Sequence, residues 1–401
     1  MGLFKKYIKT YSGLSPEVWM LSLIMLINRS GSVVLPFLSV YLAKVLHFDL
    51  RQTGIILTAY GLGSLTGSWL GGWLTDKFSS FSIQSSSLFL SGIGFLILRE
   101  LDSFNTLVIG FFLITVITDS FRPANASSIA QYSKPENLTK AYSLNRMAIN
   151  LGFALGPAIG GVLAAQSFGL LFLADGLTCF AASAVFIIYF YSKQKAEKDA
   201  RDQALKEDTS IPKKPYLDLI FVLFCISTFG FAVVFFQLLN TLPLYYSESY
   251  RLNETLIGYL LGLNGLLVFL LEMPLVDSLS KKNALRAIVT TGTLMAGISY
   301  LIFNFSSGML VLIVAMTLLS ISEILVMPFL TTYTVNRAGN KSRGKYLGVY
   351  GMSYSLALIV APALGTYLVD LSGFDILWYT MFGISILSAL GFIAVIKPGD
   401  N

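Results

Sequence analysis

Seven ionisable residues, Arg29, Asp119, Arg122, Arg146, Asp175, Glu272 and Glu323, stand inside long apolar runs. A charge in such surroundings costs roughly 2.5–3.5 kcal/mol on membrane-insertion scales, so each needs a task or a partner. Asp119 and Arg122 are three residues apart and share a helix face, where they can pair. Such a pair neutralises both groups, or it works as a switch: protonating Asp119 frees Arg122 for another carboxylate or an anionic substrate. Glu323 has no opposite charge near it in its own segment, and an isolated carboxyl in a low-dielectric cavity suits reversible proton binding. The rival for Glu323 is a structural pair with Arg29 that also closes a gate. Arg146 reads as a gate anchor or as a side chain snorkelling to the interface. Asp175 and Glu272 read as structural.

Neutral candidates accompany these charges. The stretch FFQLLNTLPLYY offers Gln237, Asn240, Tyr245 and Tyr246, and Tyr41, Tyr60 and Asn264 add similar groups elsewhere. Aromatic faces beside a few polar groups suit amphipathic ligands. At 13% aromatic, the chain also places such residues against lipid throughout. Other chemistry finds no support. The two cysteines, Cys179 and Cys225, lie in apolar runs and read as small buried hydrophobes. His47 is the single histidine. No HExxH, CxxC, phosphate-binding loop or GxSxG occurs, so an enzyme is not expected, and neither a metal site nor a cofactor is.

The elements that position these residues follow from composition. Of 401 residues, 55% are hydrophobic and 12% charged, about half the charge of an ordinary soluble protein. A spanning helix needs about 20 mostly apolar residues. Twelve such runs are predicted near 16–44, 52–75, 82–99, 104–130, 139–165, 168–191, 215–246, 254–279, 284–303, 307–335, 343–369 and 374–396. The charged stretch between the sixth and seventh reads as a linker. This predicts an all-α membrane protein of two six-helix bundles, 1–191 and 215–401, joined by a cytoplasmic linker over 192–214. Of the 28 Lys and Arg, only Lys44, Arg51, Arg99 and Arg251 fall in loops on one side. The positive-inside rule then puts both termini in the cytoplasm and explains the net charge of +6 without nucleic acid. The halves also repeat. Pro123 stands as far from Pro157 as Pro328 does from Pro362, and the Gly54–Gly61 spacing recurs as Gly258–Gly265. Duplicated bundles are the architecture in which two halves rock about a midplane site.

At these residues the chain resembles a secondary transporter of the major facilitator superfamily. GGWLTDKF matches the family's GxLxD(R/K) loop through Gly72, Leu74, Asp76 and Lys77, then departs from it at Ser79, Ser80 and Phe81. Gly152, Gly156, Pro157, Gly160 and Gly161 match the gxxxGPxxGG pattern of its antiporters. Physically, small residues let helices approach closely, and Pro157 removes a backbone bond. Arg122 stands where many exporters of the family hold an arginine linked to proton coupling. RPANASS, AYSLNRMAINLGFALGP and SEILVMP are similar to proton-coupled oligopeptide transporters, although Met25 and Asn28 replace two acids of their first helix. The resemblance implies that the first, fourth, seventh and tenth spans line a central cavity, so that Arg29, Asp119, Arg122 and Glu323 point into one aqueous space. It further implies a monomer in a lipid bilayer carrying a small-molecule substrate and protons. A proton-coupled antiporter exporting amphipathic molecules is expected. The alternative is a symporter or uniporter for peptides or organic anions, in which Arg29 and Arg122 facing Glu323 clamp a zwitterion. Low cysteine use and the helix organisation fit a bacterial inner membrane.

Overall fold

A computed structural model describes residues 10–194, 214–252, 254–282, 284–339 and 341–397. The basic N-terminus through residue 9 and the linker from 195 to 213 lie outside the described residues. The first span is α1 (Pro16–Ser30) and α2 (Val34–Lys44). The remaining spans of the first half are α3 (Leu50–Lys77), α4 (Ser80–Arg99), α5 (Phe104–Gln131), α6 (Leu138–Gln166) and α7 (Gly169–Phe190). The second half holds α8 (Leu219–Phe235), α9 (Thr241–Glu248), α10 (Glu254–Leu279), α11 (Leu285–Leu301), α12 (Met309–Ala338) and α13 (Arg343–Val395). No strand occurs among the described residues.

Local chemistry sets the helix starts. The Ser15, Ser79 and Ser103 side chains each accept a backbone N–H of the helix that follows, and Asp49 forms a reciprocal capping box with Gln52. α13 is 53 residues long and holds two spans, because Gly373 at φ 79° breaks it. Nine segments among the described residues have the length and mean hydropathy to cross a membrane. α3 is long enough but more polar, with Ser64, Ser68 and Gly72 set against α13 of the other half.

The first and seventh spans differ from the single helices expected. Each is broken: the first at residues 31–33, and the seventh where α8 passes through a 3₁₀ turn, Phe236–Leu239, into α9. Pro36 and Pro243 each stand third in the helix after the break, where a missing N–H costs nothing.

α3 packs on α5, α4 on α7 and α1 on α6; in the second half α8 packs on α13, and α11 on α12 and α13. The halves meet along two seams, α3 with α13 and α6 with α10. Residues near both described termini lie at one end of the molecule: Lys193 pairs with Glu17, and Tyr333 donates to the Val395 carbonyl. There an apolar cluster joins Val18, Phe81 and Leu138 of one half to Met273, Val335 and Leu347 of the other. At the opposite end the first-half cluster of Val33, Leu42, Phe111 and Phe172 takes nothing from the second half. Gly54, Gly258, Gly262 and Gly265 face open space there. The molecule is closed at the end bearing its termini and open at the other.

Candidate functional site

The closed end is fastened at both seams. Asp76, last but one in α3, accepts the Gly344 amide at 2.7 Å and the Lys345 amide at 2.9 Å, at the start of α13. A helix N-terminus presents unpaired N–H groups and a partial positive charge, so it holds a carboxylate well. Gly72 makes the approach possible, since a Cβ there would stand 2.3 Å from the Gly344 oxygen. Lys77 is exposed and lies over the Trp73 ring at 4.9 Å, outside this latch. At the other seam Lys140 of α6 meets Asp277 of α10 at 2.7 Å.

Deeper in, Arg146 of α6 reaches across to two carboxylates. Its Nε donates to Glu272 Oε1 at 2.9 Å, and its Nη2 to Glu272 Oε2 at 3.3 Å and to Glu323 Oε1 at 3.2 Å. Asn150 donates to Glu323 Oε1 at 3.4 Å. Asn264 donates to Glu323 Oε2 at 3.1 Å and to Ser320 at 3.1 Å. Glu272 is fully buried and Glu323 nearly so. Arg146 therefore pairs with Glu323, the role that the sequence reading gave to Arg29. Glu272, read as merely structural, is half of the site's acid content. Asn150 and Ser320 were not foreseen. Ser320 stands three residues before Glu323, the one spacing that would have flagged it.

A second cluster belongs to the first half alone. Arg29 lies within electrostatic range of Asp119, Arg122 and Tyr60. Asp119 and Arg122 approach to 3.9 Å, with the Arg122 side chain 35% exposed. The four charges expected in one space thus fall into two groups, with Glu323 in the cross-half one.

Other candidates lie elsewhere. Tyr41 is buried against Phe168 and Phe172 in the open-end cluster of the first half. Gln237 is fully buried in the break of the seventh span, where it donates to the Ala361 carbonyl at 3.0 Å and accepts from Thr241. Asn240 donates to the Phe236 carbonyl at 2.7 Å. Tyr245 and Tyr246 join a ring cluster with Phe303 and Trp378. Tyr41 and Gln237 do not line the site, because packing and the broken backbone take up their surfaces. Cys179 and Cys225 are buried and unbridged. Asp175 accepts the Val33 and Val34 amides at 2.8 and 3.2 Å. Along α6, Gly152, Gly156 and Gly160 meet the first span, and a Cβ on Gly161 would stand 3.8 Å from Phe37; Pro157 lies between them in the helix.

Two six-helix bundles with charged clusters at their seam define a secondary transporter, and the comparisons agree. The sequence matches the Major Facilitator Superfamily profile over residues 18–357 and 242–400. The chain belongs to this superfamily; its members are transporters, not enzymes. It is 24% identical to a Na(+), Li(+), K(+)/H(+) antiporter of Planococcus maritimus, covering 88% of this chain and 92% of that protein. It is 23% identical to the quinolone resistance protein NorA of Staphylococcus aureus, covering 86% and 88%. The crystal structure of the human organic anion transporter MFSD10 superposes with a TM-score of 0.75 at 16% identity, over 94% of this chain and all of that one.

Proposed function

We propose that this protein is a proton-driven antiporter of a bacterial inner membrane that exports small amphipathic molecules by alternating access. The observation that carries this reading is the cluster at Arg146, where one guanidinium serves two carboxylates across the seam. That leaves one negative charge in excess in a buried place, which is a standing demand for a proton. The proton weakens the attraction that holds the halves together, so proton binding and closure of this end oppose each other. With the basic termini in the cytoplasm, the open end faces outward. A proton entering from outside reaches Glu323 or Glu272, loosens the seam and lets the bundles 1–191 and 215–401 rock inward. Substrate then binds, the proton leaves to the cytoplasm and the seam reforms. Arg29, Tyr60, Asp119 and Arg122 line the substrate side, with Asn264 beside Glu323. Antiporter and drug-resistance relatives support the same class.

A second reading has its own observation. In the first-half cluster Arg29 and Arg122 both lie beside Asp119, with Asp175 also in range of Arg29, and a carboxylate entering there meets two guanidiniums. Such a substrate favours symport, because it draws a proton toward the site.

The deciding experiment places purified protein in liposomes under an imposed proton gradient, with the fluorescent probes ethidium and norfloxacin. Antiport predicts probe and proton fluxes in opposite directions, both lost in Glu323→Gln. Fluxes in the same direction establish the second reading. Probe flux without proton flux overturns both.

A further inference from the structure

The break in the first span is gripped from two sides. From α7, Asp175 accepts two amides of the break, Val33 at 2.8 Å and Val34 at 3.2 Å, the first of them shared with the Gly31 carbonyl. About one turn along, Thr178 fits so closely under Gly31 that a Cβ there would lie 1.7 Å from its hydroxyl, and Cys179 accepts from Asn28 at 3.5 Å. From α6, a Cβ on Gly152 would stand 2.5 Å from the Arg29 Cβ and 3.0 Å from the Ser30 nitrogen. Gly156 faces the Ser32 carbonyl, and Gly160 faces Val33 and Phe37. In this chain the glycine pattern of α6 is therefore the seat of an unwound turn.

The second half repeats the seat with different chemistry. Gly365 stands three residues after Pro362, as Gly160 does after Pro157. A Cβ on Gly365 would meet Thr241 and Gln237, the residues that make the break of the seventh span. There a neutral amide, Gln237, holds the break; in the first half a carboxylate does. The charged version sits beside Arg29, the last charged residue before the turn, which lies near Asp119, Arg122 and Tyr60.

We infer that Asp175 is a positioning residue: by holding the Val33 and Val34 amides against the α6 glycine row, it fixes the end of α1 so that Arg29 presents to the substrate side. Without the carboxylate Val33 keeps the Gly31 carbonyl, but Val34 loses this acceptor, and a buried backbone amide without one costs about 1–3 kcal/mol, so the turn rewinds or shifts and Arg29 moves with it. The inference rests on the transporter reading for its effect on substrate, but not for its effect on the turn.

The test uses Asp175→Ala and Asp175→Asn in a Cys225→Ser background, with native Cys179 as the reporter of the turn. Alkylation of Cys179 by N-ethylmaleimide should rise at least tenfold in the alanine variant and less in the asparagine variant, which keeps one acceptor. Norfloxacin transport in liposomes should show KM raised several-fold with kcat within about twofold. Gly152→Ala, which presses on Arg29 from the other side, should raise KM in the same way and stands in if the alanine variant does not fold. Unchanged Cys179 protection overturns the inference, as does a loss confined to kcat. If the parent protein moves no probe, the antiporter reading fails, and Cys179 reactivity alone decides the seat.

Discussion

Asp76 and Gly344 belong to opposite halves of the molecule, yet the Asp76 carboxylate accepts the Gly344 amide at 2.7 Å. The contact joins an acid to the start of a helix, where Arg343 also lies in electrostatic range. The sequence departs from the family loop at Ser79, Ser80 and Phe81, and the latch persists because backbone amides supply the partner.

Asp76→Ala removes two hydrogen bonds to a charged acceptor, each worth roughly 1.5–3 kcal/mol. The balance between closed and open at this end should shift by one or more orders of magnitude. Spin labels at Thr58 and Tyr259, both exposed near the open end, should report a shorter distance in the variant. An unchanged distance would show that the apolar seal suffices alone.

Gly72→Ala should act in the same direction through sterics. The added methyl would sit 2.3 Å from the Gly344 oxygen and 2.8 Å from the Gly348 Cα, both backbone atoms that cannot turn away. The same labels should approach each other, and transport should fall at least tenfold. Leu74, two residues on, serves as the control.

Arg146→Ala leaves two buried acids facing each other and should destabilise the closed form by about 3–5 kcal/mol, the usual result of orphaning a buried partner. Adding Glu272→Gln removes the uncompensated charge and should recover much of that loss. Thermal unfolding of the single and double variants in detergent measures it; strict additivity would deny the coupling.

Asp218 gives a pH test outside the spans. Burial raises the proton affinity of this carboxyl, but hydrogen bonds from Arg337, Tyr346 and the Phe221 amide outweigh it and hold the pKa below the ordinary Asp value. A depressed folded-state pKa stabilises the fold above the unfolded value, and the benefit fades as pH falls through the folded one. Asp218→Asn should lower the melting temperature at pH 7, and the gap from the parent should narrow on acidification below about pH 4. A gap that is constant with pH would mean that shape, not charge, is what is lost.

Much of the fold is legible in the sequence because apolar runs, basic asymmetry and the repeated Pro and Gly spacings each report one physical constraint. Spans two through six and eight through twelve stand close to where hydropathy puts them. The breaks in the first and seventh spans are not visible as interruptions, since Gly31 and Ser32 hardly lower the hydropathy of their window. The site is less legible. Asp119 with Arg122 is a pair within one helix, which spacing reveals. Arg146 with Glu272 and Glu323 joins three helices, and no spacing in the chain encodes which helices face each other across a seam. Gln237 looked like a cavity residue because nothing in one dimension says that the backbone beside it is broken.

The apolar seal of Val18, Phe81 and Leu138 with Met273, Val335 and Leu347 closes one end, while Gly54, Gly258 and Gly262 at the other face open space. The insulating layer across this protein is therefore much thinner than the bilayer around it. A membrane voltage falls mainly across insulation, so the field concentrates where Arg146, Glu272 and Glu323 meet. At about 2.3 kcal/mol per charge per 100 mV, any charge brought from the open end to that cluster crosses part of the electrical gradient before either half has moved.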